Sequence, residues 1–370
     1  MTVNSKIEEW TKSPFDQETQ NELIELKKNP KKLEDAFYKN LEFGTGGMRG
    51  IMGIGTNRIN KYTLGKSTQG LSDYLKKSFP NKKEIKVVIA YDCRINSKSL
   101  SRQVAEVFSA NGIQVYLFSE LRPTPELSFA VKHLNAQCGI VLTASHNPPE
   151  YNGYKVYWED GGQIVPPHDN QIINQINKTE FSDINFTPNE ELITLIDREI
   201  DEAFFNVSVE LGKFEIKNRE NYKVVFTSLH GTSITAVPQV LEKAGYSQVY
   251  LVKEQSKPDG NFPTVKSPNP EEPEALRLAL LEAEKQGADI VIGTDPDCDR
   301  LGIAVRDETG EFCLLNGNQT MVVMTYFLLE QWKQKDALNE KQFIASTIVS
   351  SPMIEKIASS YGVGYKETLT

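Results

Sequence analysis

The sequence lacks several features that would assign it to other classes of protein. It has only four cysteines, which are scattered and form no CxxC pair: Cys93, Cys138, Cys298 and Cys313. It therefore gives no sign of a disulfide framework. No apolar run reaches membrane-spanning length, and the polar, charged first ten residues lack the apolar core of a signal peptide. These absences predict a cytoplasmic protein with reduced thiols and no membrane contact.

An excess of positive charge is also missing. The net charge of −9 at pH 7 argues against nucleic acid as a partner. It leaves room for a phosphorylated small molecule, because a few local arginines can hold one phosphate. The hydrophobic content of 39% and the charged content of 25% are ordinary for a soluble protein. A chain of 370 residues is long enough for two to three domains, each with its own core.

A β-α-β pattern occurs three times along the chain. Each copy has a strand, a polar loop, a helix, a glycine and a second strand, and the copies span residues 86–118, 223–252 and 341–365. This pattern predicts related α/β domains rather than a solenoid, because the copies begin far apart. The third copy leaves little chain to close its sheet, so we expect further sequence downstream.

Other segments have simpler interpretations. Residues 1–40 carry helical periodicity and many charges, which is typical of an amphipathic helical cap. The alternative, a solvated helical arm, is the one we predict. Residues 256–273 are rich in proline, glycine and asparagine, which predicts a long ordered loop. A helix over residues 274–286 should follow and end at Gly287.

A short segment that contains a serine follows an apolar run at residues 139–142. Thr143–Pro148 comes directly after residues 139–142, which predict a buried strand. Open α/β sheets bind ligands at the carboxyl ends of their strands. Ser145 lacks the flanking glycines of a hydrolase nucleophile elbow, so that mechanism is excluded. A serine hydroxyl can instead carry a phosphoryl group; an ordinary turn serine is the alternative.

Three carboxylates alternate in a second loop, which also follows an apolar strand. Asp295, Asp297 and Asp299 supply hard oxygen ligands that suit Mg²⁺. An EF-hand is excluded, because Arg300 and Arg306 occupy the positions where that motif needs glycine and glutamate. The alternative is a solvated acidic turn. A serine loop and a metal loop in one chain together indicate phosphoryl chemistry.

A glycine-rich loop lies near the amino terminus, at residues 43–50 (FGTGGMRG). It does not fit a dinucleotide-binding fingerprint, because no apolar strand precedes it and Arg49 takes a glycine position. Backbone N–H groups and Arg49 could instead hold a phosphate. A plain turn is the alternative.

These three motifs together resemble those of the α-D-phosphohexomutase superfamily. TASHNP at residues 143–148 resembles its phosphoserine loop, GTDPDCDR at 293–300 its Mg²⁺ loop, and FGTGGMRG at 43–50 its arginine loop. Further residues are similar to the phosphoglucomutase and phosphopentomutase branch: 152–158, 167–169, 262–265 and 268–272.

The resemblance implies a fold of tandem related α/β/α domains with mixed sheets. We expect a helical extension over residues 1–40, a first domain over 41–208, a second over 209–315 and a partial third over 316–370. A fourth domain would be absent. This expected truncation predicts low or no activity for the complete reaction.

The resemblance also implies roles for individual residues. Ser145 would carry the phosphoryl group, and its phosphate would join Asp295, Asp297 and Asp299 around Mg²⁺. His146 and Lys155 would assist proton transfer or orient the phosphate. The residues implied to contact phosphoryl oxygens or sugar are Arg49, Arg300, Thr45, Thr370 and His230.

The implied activity is that of a Mg²⁺-dependent phosphosugar mutase. It would interconvert glucose 1-phosphate and glucose 6-phosphate through a phosphoserine and a glucose 1,6-bisphosphate intermediate, which also serves as activator. The partner would be a small phosphosugar. The alternatives are a phosphopentomutase or phosphomannomutase, a glucose-1,6-bisphosphate synthase, and a non-catalytic phosphosugar-binding fragment. The sequence leaves the oligomeric state open.

Overall fold

The computed structural model describes residues 2–44, 46–339 and 341–369. Within them the helices are α1 Val3–Glu9, α2 Gln17–Leu26, α3 Pro30–Phe37, α4 Lys61–Ser78, α5 Ser97–Ala110, α6 Thr124–His133, α7 His168–Lys178, α8 Arg198–Leu211, α9 Val237–Lys243, α10 Arg277–Gln286, α11 Gly317–Gln334 and α12 Met353–Ser360. The strands are β1 Gly47–Ile51, β2 Lys86–Tyr91, β3 Gln114–Phe118, β4 Cys138–Leu142, β5 Tyr151–Trp158, β6 Ile193–Ile196, β7 Lys223–Thr227, β8 Gln248–Leu251, β9 Ile290–Thr294, β10 Leu301–Arg306, β11 Phe312–Leu315, β12 Phe343–Thr347 and β13 Gly364–Thr368.

The first sheet is mixed and has six strands in the order β1-β5-β4-β2-β3-β6. Strands β4, β2, β3 and β6 run parallel, whereas β5 is antiparallel to both β4 and β1. Alternate residues of β2 face opposite sides, as the pleat requires. Val87 and Ile89 pack with α4 and α5 on one face, and Val88 and Ala90 pack with α6 on the other. The sheet is therefore covered on both sides.

The second sheet repeats this plan with five strands in the order β11-β10-β9-β7-β8. Strands β9, β7 and β8 are parallel, and β10 is antiparallel to β9. Strands β4 and β9 thus hold equivalent positions, each followed by a loop and then by an antiparallel neighbour. A third, two-stranded parallel sheet pairs β12 with β13. The predicted fold class, tandem α/β/α domains with mixed sheets, is confirmed.

Local sequence signals account for several helix boundaries. Asn60 caps α4, since its side chain accepts from the N–H groups of Tyr62 and Thr63. Asn316 caps α11 in the same way, since its side chain accepts from the N–H group of Gln319. The predicted helix over 274–286 begins later, at residue 277, and ends at Gly287, whose φ of +59° suits a residue without a side chain.

The prediction of a solvated helical arm over residues 1–40 is wrong. Trp10 and Phe37 are fully buried, and with Phe15 they pack against Tyr62 and Phe181. Trp10 makes edge or stacking contacts with all four of these rings. Polar residues dominate the composition of this segment, but the aromatic side chains within and between α1 to α3 supply enough apolar surface to dock it against Tyr62 of α4 and Phe181.

The predicted boundaries fall at recognisable points of the structure. Residue 208 lies within α8, between the last strand of the first sheet and the first strand of the second. Residue 315 ends β11, just before α11. The division into domains stays a prediction. In the part of the chain that the structure describes, no helix combines the length and the apolar character that a membrane span needs.

Candidate active site

Ser145 lies in the loop that leaves the carboxyl end of β4. Its side chain is buried, and its backbone N–H donates to the Thr143 Oγ1 atom at 2.9 Å. The φ of Ser145 is +51°, in the left-handed region that non-glycine residues avoid. This conformation costs roughly 1–2 kcal/mol, so the surrounding contacts must hold the loop in place.

The three alternate aspartates lie in the equivalent loop after β9. One ligand oxygen from each of Asp295, Asp297 and Asp299 lies within 4.8 Å of the others. Asp295 and Asp297 are fully buried, and Asp299 is exposed. The Oδ1 atom of Asp295 accepts from the N–H groups of Asp299 and Arg300 at 3.1 and 3.0 Å. These two bonds fix the orientation of the Asp295 carboxylate within the turn.

The two loops meet at the edge where the strands of both sheets end. The Ser145 hydroxyl donates to Asp295 Oδ2 at 2.7 Å. Thr124, the first residue of α6, donates its hydroxyl to Asp297 Oδ2 at 2.9 Å and its N–H to the Asp297 carbonyl at 2.8 Å. The structure therefore brings together the serine and the acidic loop, which lie 150 residues apart.

Lys155 on β5 provides the positive charge closest to the aspartates. Its Nζ atom lies 2.6 Å from Asp297 Oδ2 and 2.7 Å from Asp299 Oδ2. Burial opposes the charge on this ammonium, but the two carboxylates outweigh burial and raise the pKa of Lys155. The side chain is therefore a permanent cation at physiological pH.

His146 contacts the serine, and the charges of Arg300 and Arg49 act on its imidazole. The His146 Nδ1 atom lies 3.2 Å from Ser145 Oγ. Burial, followed by the charges of Arg300 and Arg49, lowers the pKa of His146, although Asp297 acts in the opposite direction. The imidazole is thus neutral at pH 7. Arg49 on β1 donates to the Asn147 Oδ1 atom at 2.8 Å, which holds it beside the serine loop.

The charges of the aspartates are unevenly balanced. Burial, and then repulsion by Asp297 and Asp299, raises the pKa of Asp295 well above its ordinary value. Burial also acts to raise the pKa of Asp297, but the ammonium of Lys155 outweighs it and lowers that pKa. Crowded carboxylates of this kind repel one another unless a cation lies among them.

The residues present fit a divalent cation. Among the described residues, the buried Oδ1 atom of Asp297 has no hydrogen-bond partner. A buried, unpartnered carboxylate oxygen is costly unless a cation or donor satisfies it. Carboxylate oxygens are among the ligands that Mg²⁺ prefers in proteins. The carboxylates of Asp295, Asp297 and Asp299 would hold the ion.

A cavity of about 500 Å³ adjoins the cluster on the side of Arg49 and Lys155. Its other lining residues are Lys39, Leu41, Glu42, Gly44, Gly46, Gly47, Met48 and Gln163. Three of the lining side chains are cationic and one is anionic, which favours an anionic ligand. Its volume lies within the ordinary range for small-molecule sites. A larger cavity of about 1270 Å³, between α2 and residues 51–54, shares none of these lining residues.

The remaining predicted site residues are placed differently. His230 is buried with both ring nitrogens engaged: Nδ1 lies 3.1 Å from the Lys257 carbonyl oxygen, and Nε2 lies 2.9 Å from Thr264 Oγ1. It is thus bonded into the loop after β8. Arg300 is exposed at the end of the acidic loop. Thr45 and Thr370 lie outside the described residues.

Sequence reasoning missed two residues that shape the site. Thr124 bonds Asp297 across the two sheets, and Arg94 bonds the carbonyls of the Ser145 loop. Both follow parallel strands of the first sheet, β3 and β2. A polar residue in the segment that follows an apolar parallel strand was therefore the available signal, as it was for Ser145 and Asp295.

Backbone strain gathers around this site. Nine non-glycine residues in the described part of the chain have positive φ, and five of them lie in the loops that form or adjoin the site. These five are Ser145, Leu229, His230, Phe262 and Cys298. Strained residues persist where the surrounding structure over-determines them, and they cluster at functional sites.

Comparison with known proteins gives two family matches along the chain. Residues 40–183 match the model of Phosphoglucomutase/phosphomannomutase, alpha/beta/alpha domain I. Residues 202–310 match that of alpha/beta/alpha domain II of the same family. The matched segments contain the serine loop and the acidic loop, respectively, and together they cover more than half of the chain.

Curated relatives with two different names are similar to the chain. A phosphopentomutase from Homo sapiens is 36% identical over 378 residues, covering 98% of this chain and 61% of the relative. A phosphoglucomutase from Staphylococcus epidermidis is 38% identical over 343 residues, covering 91% and 61%. The chain thus spans about three fifths of the length of these relatives.

A solved structure shows the same fold. The putative phosphomannomutase from Thermus thermophilus superposes with a TM-score of 0.70 at 23% sequence identity. The match covers 90% of this chain and 70% of that structure.

Proposed function

Because the chain belongs to the phosphoglucomutase and phosphomannomutase family, we propose that it forms the phosphoryl-carrying part of a phosphosugar mutase. The proposed substrates are glucose 1-phosphate and glucose 6-phosphate, with glucose 1,6-bisphosphate as the intermediate. The observation that carries the proposal is the contact between the two loops. Ser145 Oγ lies 2.7 Å from Asp295 Oδ2, within a cluster of three carboxylates and beside the ammonium of Lys155.

The proposed first step transfers a phosphoryl group between Ser145 and the sugar phosphate. In the forward direction, phosphoserine gives its phosphoryl to a sugar hydroxyl, so the bond from phosphorus to Oγ breaks as a bond to the sugar oxygen forms. The proton that the sugar hydroxyl loses replaces the phosphoryl group on Oγ. The sugar then turns in the site, and Ser145 takes the other phosphoryl. Each transfer leaves the number of phosphoryl groups unchanged, which makes the overall reaction an isomerisation.

His146 is the group proposed to hold the proton of the Ser145 hydroxyl. Its Nδ1 atom lies 3.2 Å from Oγ, and its lowered pKa leaves it neutral and able to accept at pH 7. As the phosphoryl leaves Oγ, His146 would accept the proton of the sugar hydroxyl and deliver it to Oγ. It would do the reverse when Oγ gains a phosphoryl group. Lys155 is less suited to this task, because its raised pKa holds its proton firmly.

Cationic side chains would stabilise the transferring group. Phosphoryl transfer spreads negative charge over three oxygens, and stabilising that charge is the main catalytic requirement. Arg49 and Lys155 line the cavity beside the serine, and Arg300 follows the acidic loop. When bound by Asp295, Asp297 and Asp299, Mg²⁺ would supply further electrostatic stabilisation of the phosphoryl oxygens.

A second substrate is supported by the similarity to phosphopentomutases. The human phosphopentomutase matches 98% of this chain, so a pentose phosphate is the second candidate. Both candidates use the same serine and the same cluster of carboxylates. They differ only in the sugar that must fit the cavity beside Arg49.

The test is the intact mass of the chain before and after incubation with glucose 1,6-bisphosphate and Mg²⁺. We expect one added phosphoryl group in the wild type and none in S145A. The matched control is S99A, which removes an exposed serine hydroxyl and should still gain the group. A phosphoryl group on S145A, or none on the wild type, would contradict the assignment. Ribose 1,5-bisphosphate in parallel would separate the two candidate sugars.

A further inference from the structure

Arg94 is a buried arginine that the proposed chemistry does not use. It follows β2, and its guanidinium reaches the backbone of the serine loop. Its Nη1 atom donates to the carbonyls of Pro148 and Tyr151 at 2.8 and 3.0 Å, and its Nη2 atom donates to the carbonyl of Ser145 at 2.7 Å. Nη2 also donates to the Asn147 carbonyl. One side chain therefore fixes four carbonyls around the reactive serine.

The guanidinium is itself held from two sides. On one side, its Nε atom lies 3.4 Å from the Asp92 Oδ2 atom, and both side chains are fully buried. On the other side, its central carbon lies 5.1 Å from the centre of the Phe262 ring. This distance is typical of a cation–π contact, and such contacts strengthen when water is excluded.

Phe262 belongs to residues 256–265, the loop that follows β8 in the second sheet. Gly260 of this loop lies against the backbone of the Arg94 segment, since an added Cβ atom would come within 2.6 Å of the Ile95 N atom and 2.8 Å of the Arg94 Cα atom. The fit therefore requires a glycine. A loop of the second sheet's part thus packs against the backbone of the segment that follows β2 in the first sheet's part.

His230 holds the two ends of this loop together through hydrogen bonds. One ring nitrogen contacts the carbonyl of Lys257 and the other contacts Thr264, so the two ends of the loop are bonded to one side chain. The His230 carbonyl also accepts from the N–H of Asp259. The φ of Phe262 is +49°, which this bonded loop must hold.

The geometry points to residues 257–264 as a positioning element for the catalytic serine. Phe262 holds the guanidinium of Arg94, and Arg94 holds the loop that carries Ser145 in its left-handed conformation. Arg94 and Phe262 are positioning residues, because neither touches the reacting atoms. The assignment of a kinetic consequence rests on the proposed function, whereas the mechanical link to the loop does not.

The first test measures hydrogen exchange in peptides that span residues 143–152. The N–H groups of Asn147 and Tyr151 are bonded within this loop, to the carbonyls of Ala144 and Pro148. In F262A we expect both to exchange at least about tenfold faster than in the wild type. F262Y retains the ring and should exchange at the wild-type rate. Unchanged exchange in F262A would overturn the proposal.

Two further variants separate this link from general loss of packing. F214A removes a ring that contacts Phe327 away from the serine loop, so it should leave exchange at 143–152 unchanged. R94K retains the charge but cannot make four bonds at once, and it should match or exceed the effect of F262A. If F262A unfolds, R94K and F262L test the same link, and both should exchange faster than the wild type at residues 143–152. Wild-type exchange in both would refute the link.

The second test follows the rate at which Ser145 gains a phosphoryl group from glucose 1,6-bisphosphate. In F262A the maximal rate should fall about tenfold or more, because a misplaced nucleophile slows transfer. The bisphosphate concentration for half-maximal rate should change less than about twofold, since no binding group is altered. If the wild type gains no phosphoryl group, the proposed function fails, and hydrogen exchange alone judges the positioning element. A higher bisphosphate concentration for half-maximal rate, with the maximal rate unchanged, would contradict a positioning role for Phe262.

Discussion

At the scale of single residues, the most consequential feature is the density of charge around Ser145. Two fully buried carboxylates and one exposed carboxylate share a few ångströms with one ammonium. Lys155 contacts Asp297 and Asp299, whereas burial and the repulsion of these two carboxylates raise the pKa of Asp295 well above its ordinary value. The site is therefore built to gain stability when a further cation joins it.

We predict that Asp295→Asn separates stability from metal binding. In chelator the variant should unfold at a temperature equal to or above that of the wild type, because a repelled buried charge is removed. Addition of Mg²⁺, from about 10 µM to about 10 mM, should stabilise the wild type and leave the variant unaffected, since binding to the native state stabilises by mass action. Thermal unfolding with increasing Mg²⁺ measures both effects.

The control for this prediction is Asp307→Asn. Asp307 lies in the turn between β10 and β11 and bonds only its own turn among the described contacts. Its variant should retain the Mg²⁺-dependent stabilisation. Equal Mg²⁺ stabilisation of D295N and the wild type would exclude Asp295 as a ligand.

A second prediction concerns Glu126 on α6, which is fully buried. Burial, followed by the nearby carboxylate of Asp201, raises the pKa of Glu126 to about 9, although Arg122 opposes the shift. The protonated form is favoured by folding, so this contribution to stability is complete below about pH 4.5 and is lost as the pH rises toward 9. In this window the free energy of unfolding falls by at most about 1.4 kcal/mol per pH unit.

We expect Glu126→Gln to flatten that pH dependence. The amide mimics the neutral carboxyl, so the variant should be more stable than the wild type at pH 8, by about 1–3 kcal/mol. At pH 5 the two proteins should differ little. Urea unfolding between pH 5 and 9 measures the effect, and parallel pH profiles would contradict the raised pKa.

At the scale of secondary-structure elements, the amino-terminal helices are part of the fold of the first sheet. Trp10 packs against four aromatic rings contributed by separate segments of the chain. Lys61 on α4 also pairs with Asp16 beside α2. Aromatic contacts of this kind contribute beyond their buried area, so α1 to α3 should unfold together with α4.

Trp10→Ala should therefore destabilise the chain by about 3–5 kcal/mol, as truncation of a buried tryptophan does elsewhere. The control is Tyr38→Ala, since that ring is 52% exposed and its loss should cost about 0.5 kcal/mol or less. Urea unfolding followed by far-ultraviolet circular dichroism compares the two. Equal stability of W10A and Y38A would instead support the interpretation of residues 1–40 as a solvated helical arm.

The strands and loops of the two large sheets follow one plan. The serine loop joins β4 to β5, and the acidic loop joins β9 to β10, so each reactive loop leaves the carboxyl end of an equivalent strand. Parallel strands with antiparallel neighbours place these ends at one edge. The repeated plan lets two ordinary loops form one composite site.

At the scale of the whole molecule, three residues of the first sheet's part contact the acidic loop of the second directly. The contacts are Ser145 with Asp295, Thr124 with Asp297, and Lys155 with Asp297 and Asp299. Every one links a residue of the first sheet's part to the acidic loop. The arrangement of the metal ligands thus depends on how the two parts dock.

Thr124→Val tests this dependence. The variant keeps the shape of the side chain but loses the hydroxyl that donates to Asp297 Oδ2, which leaves a buried carboxylate less satisfied. We expect Mg²⁺ affinity to fall by about 10-fold, the lower end of the effect of losing a group that orients a metal ligand. Calorimetric titration with Mg²⁺ provides the measurement.

Thr124→Ser serves as the matched control, because it retains the hydroxyl. It should bind Mg²⁺ within about twofold of the wild type. A loss of affinity in T124S equal to that in T124V would show that the methyl group, not the hydrogen bond, matters.

Some properties of this protein could be predicted from the sequence alone. Apolar runs and their flanking glycines identified β4, β9 and the repeated β-α-β units, because strand and turn preferences act locally. The positions of Ser145 and the three aspartates followed from the rule that ligand loops leave the carboxyl ends of strands. The chemistry of hard oxygen ligands then indicated a Mg²⁺ site.

Other properties were decided only by the tertiary structure. Burial of Trp10, the contact of Thr124 with Asp297 and the clamp of Arg94 on the serine loop each join residues that are distant in the sequence. Local patterns do not contain these contacts, because they depend on how sheets and loops dock. The same holds for the pKa values of Asp295, Glu126 and His146, since burial and neighbouring charges set them.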